Sequence, residues 1–187
     1  KAAGLPTTIG SPAGASVAAA LLARFPEMAS FDARHAGLVH RLDTGTSGLL
    51  LAARNPTMHA RLRAAFAAKR VTKEYLAVVV GRLDSRHVVT HALARHPKSR
   101  GRMVIARHTA RAWGAETEVT PIAGDADLTL VRLHMRTGVT HQLRVHLASL
   151  GHPIVGDRRY GRETDAIDPR VAPGGWHFLH ARALTIE

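Results

Sequence analysis

Cysteine is absent from the 187-residue chain, which excludes disulfides, thiolate metal sites and cysteine nucleophiles and is compatible with a reducing compartment. No His-Glu-x-x-His occurs among the 13 histidines, and the close pair His141 and His146 lies about 140° apart around a helix, the wrong angle for a shared metal. No apolar run approaches the roughly 18 residues that a membrane-spanning helix needs, and no signal peptide is legible. Lysine is scarce too: it supplies four of the 26 basic residues, which face 14 acidic ones and leave a formal charge of +12. The excess is arginine, whose planar fork fits phosphate and stacks on bases, so nucleic acid is the first partner to consider; a biased coding composition would give the same excess.

What is present suffices for one well-buried domain and is short for two, with 45% hydrophobic residues. From Ser16, a candidate N-cap, Val17, Leu21, Leu22 and Phe25 follow a helical stripe that Pro26 ends. Asn55-Pro56 reads as cap and first residue of a second helix, with Met58, Leu62, Ala65, Phe66 and Lys69 on one stripe and Arg61, Arg63 and Arg70 opposite. The stretch 72–81 is the clearest strand, placing Lys73, Tyr75, Ala77 and Val79 on one face. Residues 82–101 are polar and basic and predict a hairpin or surface excursion able to touch RNA, followed by strands at 103–106, 115–119 and 128–135. Thr140 is a candidate N-cap for a last helix carrying Leu143, Leu147 and Leu150, closed by Gly151 and Pro153. These elements predict an α+β domain, a mixed and mainly antiparallel sheet with flanking helices and a central cleft.

The chain is organised around 40–48, His-Arg-Leu-Asp-Thr-Gly-Thr-Ser-Gly, between the apolar runs 37–39 and 49–52. That pattern predicts a turn joining two buried strands, with Asp43 as the candidate catalytic residue and Gly45 and Gly48 allowing positive φ and close approach of a partner. Taken alone, an Asp in a Gly/Thr/Ser turn is more simply a turn former. The second constellation is 136–146, where Thr140, His141, Gln142 and Arg144 gather near a helix start, a place that favours anions. Arg144 there needs an acceptor, and Asp43 is the acceptor of choice.

Four stretches resemble the RluA family of RNA pseudouridine synthases: 40–48 its HRLDxxTSG signature, 73–81 its K-x-Y-x-A strand, 136–161 its TGRTHQ[IL]RVH and GHPI.GD..YG segments, and 178–181 its closing LHA. The resemblance implies isomerisation of uridine in RNA on a flipped-out base, with no metal and no organic cofactor. It implies Asp43 as the carboxylate that engages the nucleoside, Arg144 as the partner that keeps it ionised, and Tyr75 as the aromatic that stacks on uracil or helps to remove the C5 proton. Arg41 is the candidate for filling the gap left by the flipped base or holding the displaced nucleotide, and Lys73, Arg136, His141, Gln142 and His40 are candidates for contacts to RNA. Histidines at 40, 134, 152 and 180 also fit structural or surface roles, and Trp113 and Trp176 fit packing. Gly45 and Gly48 acquire a further reading, letting a flipped ribose approach Asp43.

Val139 stands where the family usually has Arg, which bears on RNA affinity or substrate choice. The opening 1–5 is similar to the family's K-P-x-G-L without its Pro, so a first strand, and an RNA-binding domain of the kind some relatives carry, is expected before residue 1. The expected protein is a cytoplasmic monomer acting on ribosomal RNA or, second, transfer RNA. Two rivals remain: a noncatalytic RNA-binding module, which would not need Asp43, and a carboxylate hydrolase, which would need a second acid among Glu74, Asp125 and Asp157.

Overall fold

The computed structural model describes residues 1–10, 14–106, 111–161 and 175–187. Helix α1 (Val17–Arg24) starts at Ser16, whose hydroxyl accepts from Ala19 N at 3.1 Å, and a 3-10 turn (Pro26–Met28) and short α2 (Ala29–Asp32) follow. After β1 (Ser47–Gly48), α3 (Pro56–Ala67) begins with the Asn55 side chain accepting from Met58 N at 2.8 Å. Both caps are those the sequence predicts, and each satisfies an amide that the helix leaves without a partner.

Then come β2 (Val71–Val80), β3 (His87–Val89), β4 (Leu93–Arg95), β5 (Met103–Ile105), β6 (Thr117–Gly124), β7 (Leu128–Met135), α4 (Gln142–Ser149) and β8 (Leu179–Ile186). One sheet has the order β1-β8-β2-β7-β6-β3, antiparallel except for the β1–β8 pair, and β4 and β5 form a separate hairpin. The fold is therefore α+β with a mixed, mainly antiparallel sheet. Among the described residues, no helix is long and apolar enough to cross a membrane.

Strand β2 runs through the centre, and its β-branched, alternating sequence turns Lys73, Tyr75, Ala77 and Val79 inward. Tyr75, Ala77 and Val79 join Val131, Leu133, Leu143, Leu147, Ile154 and Leu179 in the main core, which seats α4 on the sheet. Between Glu74 and Tyr75 the β2–β8 register skips Arg182, a bulge that keeps Tyr75 on the core face beside the cleft while Arg182 pairs with Glu74 outside.

Three expectations need correction. Residues 37–54 do not form two strands around a turn: the bridge Leu38↔Ala52, two flanking backbone hydrogen bonds and one from Leu51 N to the His40 ring join the two limbs, because the second limb is captured by β8. Gly48, at φ 118, lies so close to β8 that a Cβ would stand 2.2 Å from the Ala181 carbonyl oxygen, and no other residue fits there. Strand β6 does not end before Pro121 but runs to Gly124, because β3 covers only 117–119 and beyond it Pro121 lies at a free edge with a bulge. The residue at the N-cap of α4 is His141, in the left-handed region at φ 56, and not Thr140.

Candidate active site

The loop carrying Asp43 is held by the first residues of the chain. The Thr7 hydroxyl donates to the Leu42 carbonyl at 2.7 Å and accepts from Leu42 N at 3.2 Å, Gly4 N donates to the Thr44 carbonyl, and Thr46 N closes the turn on the Asp43 carbonyl. Buried Leu42 anchors the loop in the main core, which leaves its neighbour Asp43 at the wall of a cleft of ≈ 730 Å³. Tyr75 and Lys73 of β2, Phe66 of α3 and the 137–144 segment line the other sides.

The structure brings Asp43 and Arg144 together: Nη1 donates to Asp43 Oδ2 at 3.1 Å, across 101 residues of sequence. The same guanidinium turns its Nε and Nη2 to Asp157, at 2.7 and 2.8 Å, in a bidentate pair whose carboxylate is completely buried. Burial alone would lower the proton affinity of Arg144, but the two carboxylates reverse that and raise it. For Asp157 burial works toward protonation, and the hydrogen bonds from Arg144 overcome it and hold the carboxyl below its usual range. His141 Nε2 lies 3.7 Å from Asp43 Oδ2, its Nδ1 hydrogen-bonds the Tyr160 hydroxyl at 2.7 Å, and burial lowers its pKa. Tyr75 is buried and, through burial and the nearby Asp43 charge, its phenol is pushed up to about 12.

Lys73 is buried, donates to the Thr137 carbonyl at 2.6 Å, and is lowered to about 8 by burial. A buried lysine that sheds its proton in the folded state near pH 8, against roughly 10.4 when unfolded, gives a stability contribution that rises with pH between those values. The stability of wild type relative to Lys73→Met is therefore expected to increase from pH 7.5 to about 9.5, measured by urea denaturation of both proteins at each pH.

Other residues expected to contact RNA are placed differently. Gln142 faces inward: its amide donates to the Glu116 carbonyl and the Thr117 hydroxyl and accepts from the Thr137 hydroxyl and Val139 N, which leaves no donor for a base edge. His40 accepts from Leu51 N at 3.0 Å and stacks on Phe66, and burial, with Lys73 nearby, lowers it to about 4, so it braces the loop as a neutral ring. Arg136 lies exposed and pairs with Glu187 at 2.9 Å. Arg41 is exposed on the cleft wall, and Arg63 and Lys69 join it there. Val139 packs against the small cluster of Leu93, Met103, Ala115 and Val145 and also faces the cleft. The space at Gly45 and Gly48 is taken by protein: the His177 and Trp176 rings crowd Gly45 as the Ala181 backbone crowds Gly48.

The sequence pointed to Asp157 only as an acid within a structural motif, and its grip on Arg144 is legible from spacing no better than the seat of His177. His177 is buried, hydrogen-bonds the Thr46 hydroxyl at 2.9 Å and is lowered to about 4, chiefly by burial. The acids that a hydrolase would need are engaged elsewhere: Glu74 with His134 and Arg182, Asp125 with the amides of Asp127 and Leu128, and Asp157 with Arg144.

The family described as RNA pseudouridylate synthase matches residues 1–149. An uncharacterized RNA pseudouridine synthase of Chloroflexus aurantiacus is 40% identical over 152 residues, 81% of this chain and 47% of the relative. The ribosomal large subunit pseudouridine synthase D of Xylella fastidiosa is 41% identical over 182 residues, covering 94% of this chain and 53% of its own length. The chain thus spans about half the length of the curated relatives it matches. Among solved structures, human RNA pseudouridylate synthase domain containing 1 aligns with a TM-score of 0.72 at 32% identity, over 91% of this chain and 69% of that one.

Proposed function

Since the chain belongs to the RluA family of RNA pseudouridine synthases, we propose that it isomerises uridine in RNA to pseudouridine, with Asp43 as the catalytic carboxylate. The observation that carries this reading is the Asp43 carboxylate at the cleft wall, held by one N–H of Arg144, with Tyr75 on the same cleft. A stacked uridine cannot reach this carboxylate, so the target base is flipped into the cleft at a cost of about a few kcal/mol. Asp43 then acts as nucleophile at C1′ or as counter-charge to the cationic sugar while the N1–C1′ bond breaks. The freed base turns, C5 bonds to C1′, the C5 proton leaves and N1 ends protonated, so that atoms and charge balance without a co-reactant.

Tyr75 serves this sequence as an aromatic face. A phenol pushed up to about 12 is neutral at working pH and is poorly matched to proton abstraction there. Exposed Arg41, Arg63 and Lys69 on the cleft walls supply backbone attraction that weakens with salt. Relatives named for the ribosomal large subunit favour ribosomal RNA over transfer RNA as substrate, and with it a cytoplasmic setting. The test incubates the protein with transcripts of both RNAs and maps pseudouridine by carbodiimide derivatisation and reverse transcription. New stops in large-subunit RNA are expected; stops in transfer RNA alone would reassign the substrate, and none in either would sink the reading.

A further inference from the structure

We propose that Asp157 is a positioning residue for this chemistry: it holds the Nε/Nη2 edge of Arg144 and offsets its charge, so that Asp43, which receives one N–H from Nη1, keeps its negative charge available to the substrate. The inference rests on the reading of Asp43 given above. A guanidinium and a lone carboxylate normally meet fork to fork, which would engage both oxygens of Asp43. Here the Nε/Nη2 edge is held by Asp157, with Nε on Oδ2 and Nη2 on Oδ1, and Asp43 is engaged by Nη1 alone.

Asp157 cannot swing away. Its Oδ1 also accepts from Arg159 N at 3.0 Å and Tyr160 N at 3.3 Å, and its side chain has no exposure, so it touches no RNA. The Arg144 guanidinium lies over the Tyr160 ring at 5.1 Å, which fixes its plane as well. The three groups together carry one net negative charge, and the partly exposed member is Asp43. A lone Asp43–Arg144 pair would be neutral, its carboxylate a weaker nucleophile.

The other groups acting on the pair are few. His141 faces Asp43 and His177 acts on both acids; burial depresses both imidazoles, which leaves them neutral near pH 7. Tyr75 is neutral there too, and Lys1, lowered to about 8 by burial, is a further cation acting on Asp43. Arg144 is thus the cation in direct contact with both carboxylates, and how its charge is divided governs Asp43.

The test is Asp157→Asn, which keeps shape and an acceptor for the backbone amides. With Arg144 left to Asp43 alone, the acid limb of kcat/KM should move to lower pH by about one unit and plateau kcat should fall about tenfold, with KM for RNA within about twofold. A merely structural role would leave the limb in place, and that result, or a loss confined to KM, would overturn the proposal. An arm without RNA separates this failure from failure of the functional reading. The Arg144 Nε–H resonance, drawn downfield by its carboxylate partner, should persist in Asp43→Asn and be lost in Asp157→Asn. Should Asp157→Asn not fold, Asp43→Asn decides alone, since loss of the shifted resonance there would show that Asp43 holds the fork.

Discussion

Asp43→Asn is expected to abolish isomerisation, lowering kcat on the order of 10⁴-fold or more, while RNA binding stays within about threefold of wild type. The asymmetry follows from the site's construction. Asp43 is partly exposed at the wall of the cleft, and removing its charge leaves Arg144 still paired through two hydrogen bonds with Asp157, so no buried charge is stranded and the fold is retained. The arginines that attract the phosphate backbone, Arg41 and Arg63 among them, are untouched. Filter binding beside a pseudouridine assay separates the two quantities. A noncatalytic RNA-binding module would show no isomerisation in wild type either, with binding unchanged by the substitution.

Arg144→Met should be more damaging, because it removes the cation that two carboxylates share. Asp157 would remain completely buried without a charge partner, at a cost of about 3–5 kcal/mol to stability, and activity would fall with the loss of the group that orients Asp43. Lysine should not rescue it, since a point charge cannot hold the two-point contact to Asp157 and reach Asp43 as well. In wild type the Asp157 carboxyl is held below its ordinary value, so its contribution is fully present above about pH 4 and is lost as pH falls through the lowered folded value. In the variant only weaker groups such as the Arg159 and Tyr160 amides oppose burial, the folded carboxyl takes up a proton more readily than in wild type, and the deficit shrinks on acidification. Urea denaturation at pH 8 and pH 5 should therefore show a larger gap between Arg144→Met and wild type at pH 8.

The parts of this architecture that follow local rules were legible in the sequence. The caps Ser16 and Asn55 and the alternation of β2, which aims Lys73 and Tyr75 together, are set by hydrogen bonding and period within a few residues. The meeting of Asp43 with Arg144 spans 101 residues and was reachable only through the need of each charge for a partner and through the family resemblance. What local pattern could not carry is competition among long-range partners. Ser47 and Gly48 pair with β8, Gln142 spends its amide on β6 and the 137–139 turn, and Asp157 takes the Nε/Nη2 edge of Arg144. Each outcome is decided by geometry brought from elsewhere in the chain, as is the burial that makes His40 a neutral brace of the loop.

The dependence of the chemistry on Asp43 is tested most directly by tritium release from [5-³H]uridine RNA under single-turnover conditions, with wild type and Asp43→Ala each in excess over RNA and with complex formation verified in the same samples. Wild type should release tritium as the C5–C1′ bond forms, and the bound Asp43→Ala complex should release none. Release from the Asp43→Ala complex at a rate near that of wild type would contradict the account.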